Sequence, residues 1–152
     1  MSFKIINKDL LSNARTGELK LKRLTVKTPF FMPVCTNATP KAVTFEVLNE
    51  IGYEMIVSNA YHLFLRPGSE FIKKNFTNLH RFSGWEKGIL TDSGGFQIWS
   101  LGSLVKIESD GVIIKSHIDG KLNKLSPELS IQIQEDLGSD IMMIFDDCPK
   151  PD

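Results

Sequence analysis

Gly88-Ile89-Leu90-Thr91-Asp92-Ser93-Gly94-Gly95-Phe96-Gln97-Ile98-Trp99 is the stretch from which the rest of the chain is read. It starts as a short apolar strand. It then breaks into an acid, a hydroxyl, two glycines, an aromatic and an amide before apolar residues resume. Many α/β proteins present a reactive group at the mouth of a sheet or barrel with a carboxylate at a strand end, followed by a loop. Glycines let backbone approach a ligand closely. Phe96 could cover a flat ring, and Gln97 offers a donor and an acceptor. A Gly-Gly turn whose aspartate caps local backbone reads the same residues equally well.

Working outward, similar short apolar runs recur. Phe30 to Cys35 and Met55 to Asn59 read as strands buried on both faces, separated by a helix that Thr44 caps and Gly52 ends. That is a βαβ order. Asp140 to Phe145 is a further buried strand, and it delivers Asp146 and Asp147. Before it, Ser126-Pro127-Glu128 opens a helix with an N-cap serine, a first-turn proline and an acid. Leu129, Ile133 and Leu137 form the buried stripe of that helix, with Gln132, Gln134 and Glu135 outside it, and Gly138 stops it.

The remaining segments are less regular. Phe3 to Asn7 and Leu19 to Val26 predict a small antiparallel sheet around a polar turn at 13–17. Tyr61 to Gly68 is too rich in aromatics for an ordinary loop; His62 and Arg66 in it read as structural residues. Ser69 to Asn75 predicts a solvent-facing helix in which Lys73 and Lys74 are a solvated face, and Leu79 to Trp85 a further short helical segment. Leu104 to Glu108, Val112 to His117 and Leu122 to Leu125 predict a β-meander, with Asp119-Gly120 as a hairpin signal.

Composition narrows the function classes. The 152 residues suffice for one domain with a core, and 41% hydrophobic with 24% charged is ordinary for a globular protein. Lys+Arg and Asp+Glu both total 18, so net charge neither favours nor excludes a nucleic acid. Cys35 and Cys148 have no paired spacing that suggests zinc or a disulfide framework. No signal peptide is recognisable, and no apolar run approaches the ~18–20 residues that span a bilayer. A reduced, cytoplasmic setting without membrane contact is expected.

Buried strands that alternate with helices and end in polar residues predict an α/β fold, either an open parallel sheet or a (β/α) barrel. The length is short of the ~250 residues of an eight-stranded barrel, so the chain reads as the front part of one. Strand ends of one polarity share a face, so Asp92 and Asp146 could meet there. A carboxylate pair can bind a purine's donor edge, do acid–base work, hold a metal or support glycosidic-bond cleavage. Spacing does not choose among these.

Six segments together resemble the N-terminal part of the tRNA-guanine transglycosylase (queuine/preQ1 tRNA-ribosyltransferase) family of bacterial type. They are Thr28 to Val34, Ser58 to Gly68, Thr91 to Gln97, Ser116 to Gly120, Leu125 to Glu128 and Gly138 to Asp146, in family order. The resemblance implies the first portion of a TIM-type (β/α)8 barrel, carrying a small N-terminal antiparallel sheet and an inserted β-meander, with residues 1–152 as a single incomplete domain. It implies a pentosyltransferase that exchanges guanine at the tRNA wobble position for a 7-deazaguanine base in queuosine biosynthesis. Asp92 matches the acid/base aspartate. Ser93, Gly94, Gly95 and Phe96 match the pocket loop, with Phe96 at the stacking position, and Asp146 matches the aspartate that reads the base. The partners implied are a tRNA with a GUN-type anticodon, guanine or a 7-deazaguanine, and a second copy in a homodimer. An archaeosine-type relative and a non-catalytic tRNA-binding accessory subunit are the alternatives.

Departures from the family pattern lie near the end, where Asp147 stands in place of the usual glutamate and Pro149-Lys150-Pro151 follows the pocket cysteine Cys148. The family's nucleophilic aspartate and its three-cysteine, one-histidine zinc site are expected beyond residue 152. No metal ligands are therefore assigned here, His62, His80 and His117 matching no zinc spacing. Residues 1–152 alone are expected not to catalyse the exchange.

Overall fold

The computed structural model describes residues 1–146. Asp147, Cys148 and the Pro149-Lys150-Pro151 departure lie outside the described residues. In chain order the elements are β1 (Ser2–Lys8), β2 (Arg15–Lys20), β3 (Thr25–Thr28), α1 (Phe45–Ile51), β4 (Met55–Ser58), α2 (Ala60–Leu65), α3 (Ser69–Phe76) and α4 (Leu79–Ser83). There follow β5 (Gly88–Thr91), α5 (Gly95–Ser100), a 3-10 turn at Gly102–Leu104, β6 (Val105–Glu108), β7 (Gly111–Lys115), β8 (Leu122–Leu125), α6 (Pro127–Leu137) and β9 (Ile141–Met142).

Three small sheets result: antiparallel β1-β2-β3, parallel β4-β5-β9 and antiparallel β6-β7-β8. The parallel sheet positions the site. Met55 to Ser58 pairs in register with Gly88 to Thr91, and Leu90 and Thr91 pair with Ile141 and Met142. On the other side of β4, Val34 makes a single parallel bridge to Val57. The parallel segments therefore neighbour one another in sequence order.

Both ends of the parallel sheet are closed differently. At the start of its strands, Val26 of β3 and Leu21 of the turn before it pack on Met55, with Leu24, Leu90 and Ile141 against them. Gly88 is required there: a Cβ on it would lie 2.7 Å from Met55 Cγ and 3.3 Å from Leu24 Cδ2. The main core is built on the other layers, from Ile56, Tyr61, Leu63, Ile72, Trp85, Ile89, Ile133 and Leu137. The opposite end, where the strands finish, carries polar loops.

Local signals in the sequence are realised where the necessary atoms are close in the chain. Thr44 caps α1 by accepting the Val47 N–H, and Gly52 ends it in the left-handed region. Ser126 caps α6 by accepting from Leu129, Pro127 starts it and Gly138 ends it. The Leu79–Ser83 helix and the three-stranded sheet from Val105 to Leu125 lie where such elements were read.

Six readings are corrected. Leu19 to Val26 is not one strand; the chain reverses between β2 and β3, where the Leu21 N–H reaches Leu24 O at 2.8 Å. The first turn is earlier than expected, closed by Asp9 N–H to Ala14 O at 3.0 Å. Phe30 to Cys35 forms only the Val34 bridge, and Phe31 and Val34 are exposed while Cys35 is buried. The strand over Asp140 to Phe145 contracts to Ile141–Met142, and Met142, Met143 and Ile144 are exposed, because only β5 pairs with this strand among the described residues. Finally, Gln134 is wholly buried rather than outside the α6 stripe. The α3 helix is also less solvent-facing than read: Ser69 and Ile72 are buried, and Lys73 pairs with the buried Asp136 of α6 at 2.8 Å.

A buried polar strut fixes the start of β9. His80 Nε2 lies 2.9 Å from Asp140 Oδ2, which also accepts the Ile89 N–H at 2.9 Å. Burial pushes the Asp140 carboxyl up. The His80 hydrogen bond, the Ile89 N–H and the nearby His80 and Arg23 charges more than offset this and hold it below the ordinary carboxylate range.

Candidate active site

Asp92 directly follows β5, and its backbone N–H still reaches across to Ser58 O at 3.1 Å, continuing the parallel ladder by one rung. Its side chain is partly buried and doubly held. Oδ1 accepts the Ala60 N–H at 3.0 Å, and Oδ2 accepts Asn59 Nδ2 at 2.6 Å. Asn59 spends its other atom locally, with Oδ1 accepting the His62 N–H at 2.9 Å to cap α2. Burial pushes the Asp92 carboxyl from 3.8 up to about 6. The neighbouring Asp146 charge acts in the same direction, and the Ala60 and Gly94 N–H groups and Asn59 act against it.

The loop after Asp92 is shaped around Asp146. The Ser93 hydroxyl donates to Asp146 Oδ1 at 2.5 Å and accepts the Gly95 N–H at 3.0 Å, while Ser93 O accepts Ser130 Oγ of α6 at 2.6 Å. Gly94 turns the chain with φ +84°, and a Cβ there would press on Leu125 and Tyr61 at 3.2 Å. Gly95 has no room for a side chain, since a Cβ would collide with the Asp146 carboxylate and carbonyl. The Gly-Gly pair is therefore more than a turn: Gly94 reverses the chain, Gly95 opens α5, and the two bring Asp146 against the loop after β5.

Phe96 is 54% exposed, and its ring rests on Trp99 with centroids 5.5 Å apart and planes at 45°. Gln97 is buried with its Oε1 unpartnered among the described residues. Asp146 also borders a groove of about 920 Å³ that runs between Ile98, Val112, Lys124 and Leu129.

The structure thus gathers Asp92, Ser93, Gly94, Gly95 and Asp146 at one end of the parallel sheet, with Phe96 at its rim. Three contributors were not singled out from the sequence. Asn59 lies 33 positions before its partner Asp92, and Ser130 and Gln134 are polar residues of a helix read for its apolar stripe. The Asn59 signal was present as an N-cap residue opening α2; the other two had none.

The side chains of His62 and Arg66 make no hydrogen bond to this cluster among the described residues, although the His62 N–H caps on Asn59. His62 packs edge-on against His117 at 5.5 Å, and burial foremost, with the His117 and Lys41 charges, lowers its pKa. Arg66 is exposed and makes no ion pair among the described residues, ending α2 through its backbone N–H. No group of three or more His, Cys, Asp or Glu that could hold a metal comes together among the described residues. Cys35 is buried, and desolvation raises its thiol pKa to about 11, unlike a metal-binding thiolate. No helix among the described residues is long and apolar enough to cross a membrane.

The family model described as queuine tRNA-ribosyltransferase matches residues 9–152. Curated relatives of that name include one from Thermodesulfovibrio yellowstonii, 56% identical over 148 residues, which cover 97% of this chain and 38% of the relative. Another, from Thermoanaerobacter sp., is 53% identical over 97% of this chain and 39% of its own length. A third, from Fusobacterium nucleatum, is 51% identical over 98% of this chain and again 39% of the relative. The chain spans about two fifths of the length of these relatives. On the extent of the family match and the level of identity, the chain belongs to the queuine tRNA-ribosyltransferase family.

Proposed function

We propose that this chain supplies the base-recognising part of a tRNA-guanine transglycosylase. In that reaction guanine leaves the wobble position of a tRNA with a GUN-type anticodon and a 7-deazaguanine takes its place. The observation that carries the reading is the meeting of two unlike carboxylates at the same end of the parallel sheet: Asp92 after β5, partly buried with a pKa of about 6, and Asp146 after β9, exposed and braced by Ser93. A carboxyl whose pKa is raised by burial suits acid–base work, and an exposed carboxylate beside it is left for binding.

In this reading Asp146 accepts the N1–H and exocyclic amine of guanine, a donor pair that adenine's corresponding edge lacks. Phe96 stacks on the base, which is splayed out of the RNA to reach it. Asp92, ionised at neutral pH but with its pKa raised to about 6, takes and returns the proton of the exchanging base. The nucleophile that attacks C1′ of the ribose comes from outside residues 1–146, as do the ligands of the family's zinc. The described residues offer no set that fits that metal, and no step here runs through it.

For architecture, we take β4, β5 and β9, with the Val34 bridge, as consecutive staves of a TIM-type (β/α)8 barrel and the β6–β8 sheet as an insertion. Parallel neighbours in unbroken sequence order suit a barrel better than a doubly wound sheet, whose strand order reverses at a switch point. In the same reading the enzyme works in the cytoplasm as a homodimer.

The test is incorporation of labelled guanine into tRNA by the full-length chain. Asp92→Asn is expected to lower kcat by at least 100-fold, and Asp146→Asn to raise the guanine KM. Exchange that survives both substitutions within twofold would overturn the assignment.

A further inference from the structure

We propose that Gln134 is a positioning residue for base recognition. Its amide locks together the two strand ends that bear Asp92 and Asp146. This rests on the reading of those carboxylates as the guanine pocket, and goes beyond it by assigning what holds them in mutual register.

The side chain is wholly buried, and each of its hydrogen-bonding capacities is used. Oε1 accepts the Met143 N–H at 2.9 Å and the Thr91 hydroxyl at 2.9 Å. Nε2 donates to Met143 O at 2.9 Å and to Ser130 O at 3.2 Å. The amide thus pairs with both backbone groups of Met143, as a neighbouring strand would. It does so just where β9 has ended and Met143 keeps only a longer contact, 3.2 Å, to Thr91 O.

The positions of these partners give the amide its role. Met143 stands three residues before Asp146, and Thr91 immediately before Asp92. One helical turn earlier on α6, Ser130 donates to the carbonyl of Ser93, whose hydroxyl holds Asp146. One face of α6 therefore touches the approach to each carboxylate and the loop between them. Packing alone would not require this: Ile133 and Leu137 already bury the helix against the core. An apolar residue at position 134 would take from Met143 O its partner and leave the Met143 N–H only its longer contact, against a helix face that is itself buried. A displacement near 1 Å transmitted to a recognising group can cost roughly 100-fold in function.

The experiment compares Gln134→Met with Leu137→Ala in the full-length chain. Leu137→Ala serves as the stability control, because it truncates the core on the same helix without touching the polar contacts. Melting temperatures are recorded for both, and guanine KM and kcat are measured by exchange into tRNA. Gln134→Met is expected to raise the guanine KM at least tenfold with a smaller change in kcat. Leu137→Ala, at an equal or greater loss of melting temperature, should change KM less than threefold. Gln134→Glu keeps the acceptor side and loses donors; it should raise KM in the same direction and serves if the methionine variant does not fold.

Equal KM changes in the glutamine variants and the control, or no change in the glutamine variants, would overturn the proposal. Asp146→Asn separates its failure from that of the pocket. If Asp146→Asn raises KM and the Gln134 variants do not, only the clamp is wrong. If Asp146→Asn leaves KM unchanged, the pocket reading falls and the clamp with it.

Discussion

Replacing Asp92 by asparagine tests the electrostatics of the site without any substrate. The Asp92 carboxyl ionises at about 6 in the folded chain against 3.8 for the unperturbed group. That rise corresponds to about 3 kcal/mol by which the folded state disfavours the charged form. Asp92 keeps some solvent contact and its anion is met by several donors, so a discounted range of about 1–3 kcal/mol is expected. The sign follows from proton counting. Between pH 3.8 and about 6 the folded chain binds the proton and the unfolded chain does not, so wild-type stability falls as pH rises through this window. Above it the full cost is present; below it there is none. Asp92→Asn removes this dependence, while groups common to both proteins cancel. Urea unfolding of both at intervals from about pH 4 to 8 should show the difference (variant minus wild type) climbing by about 1–3 kcal/mol, most of it before pH 6.5. A constant offset, from the amide that asparagine turns toward Asn59, does not affect the slope. A difference that stays flat within about 0.5 kcal/mol, or falls with pH, would refute the account of Asp92 as a carboxyl whose ionisation is opposed by burial.

Three further outcomes are expected. Gly95→Ala drives a methyl into the Asp146 carboxylate and carbonyl, so guanine affinity measured by equilibrium dialysis on the full-length chain should drop at least tenfold; unchanged affinity would mean that Asp146 does not need this loop. Phe96→Ala should weaken guanine binding by the stacking contribution of about 1–3 kcal/mol and shift the melting temperature little, because the ring is half-exposed; a large stability loss with intact binding would contradict its role. His80→Ala leaves the Asp140 carboxylate without its closest side-chain partner and should cost about 2–4 kcal/mol in denaturant melts. Because Asp140 is held below its ordinary value, its contribution is present above pH 3.8 and is lost as pH falls through the lowered value. Removal of His80 should therefore move acid unfolding to higher pH.

What could be read without coordinates was governed by distance along the chain. The caps at Thr44, Ser126 and Gly138 act within four residues, and each formed where read. Met55 to Ser58 and Gly88 to Thr91 are strands because both faces of a largely apolar run find cover. Phe30 to Cys35 has the same composition but only one bridge, since an apolar run forms a ladder only when a neighbour lies alongside. Gln134 was misread because periodicity assigns every polar residue to solvent; its partners, Thr91 and Met143, are fixed by topology rather than spacing. Asp92 and Asp146 were recoverable because parallel strands present their ends on one face. The bracing by Asn59, Ser93 and Ser130 emerged only with the loops in place.

The double use of Asn59 dictates the route of a proton. Its Nδ2 is committed to Asp92 and its Oδ1 to the first turn of α2, so the amide cannot turn over to receive a hydrogen from the acid without putting an N–H against an N–H. Ala60 likewise presents only a donor. The lone pairs on the inner side of Asp92 are occupied whichever form the acid is in. A hydrogen taken up near pH 6 must enter and leave through the outward-facing lone pairs, giving the residue a one-sided exchange path that its own backbone scaffold enforces.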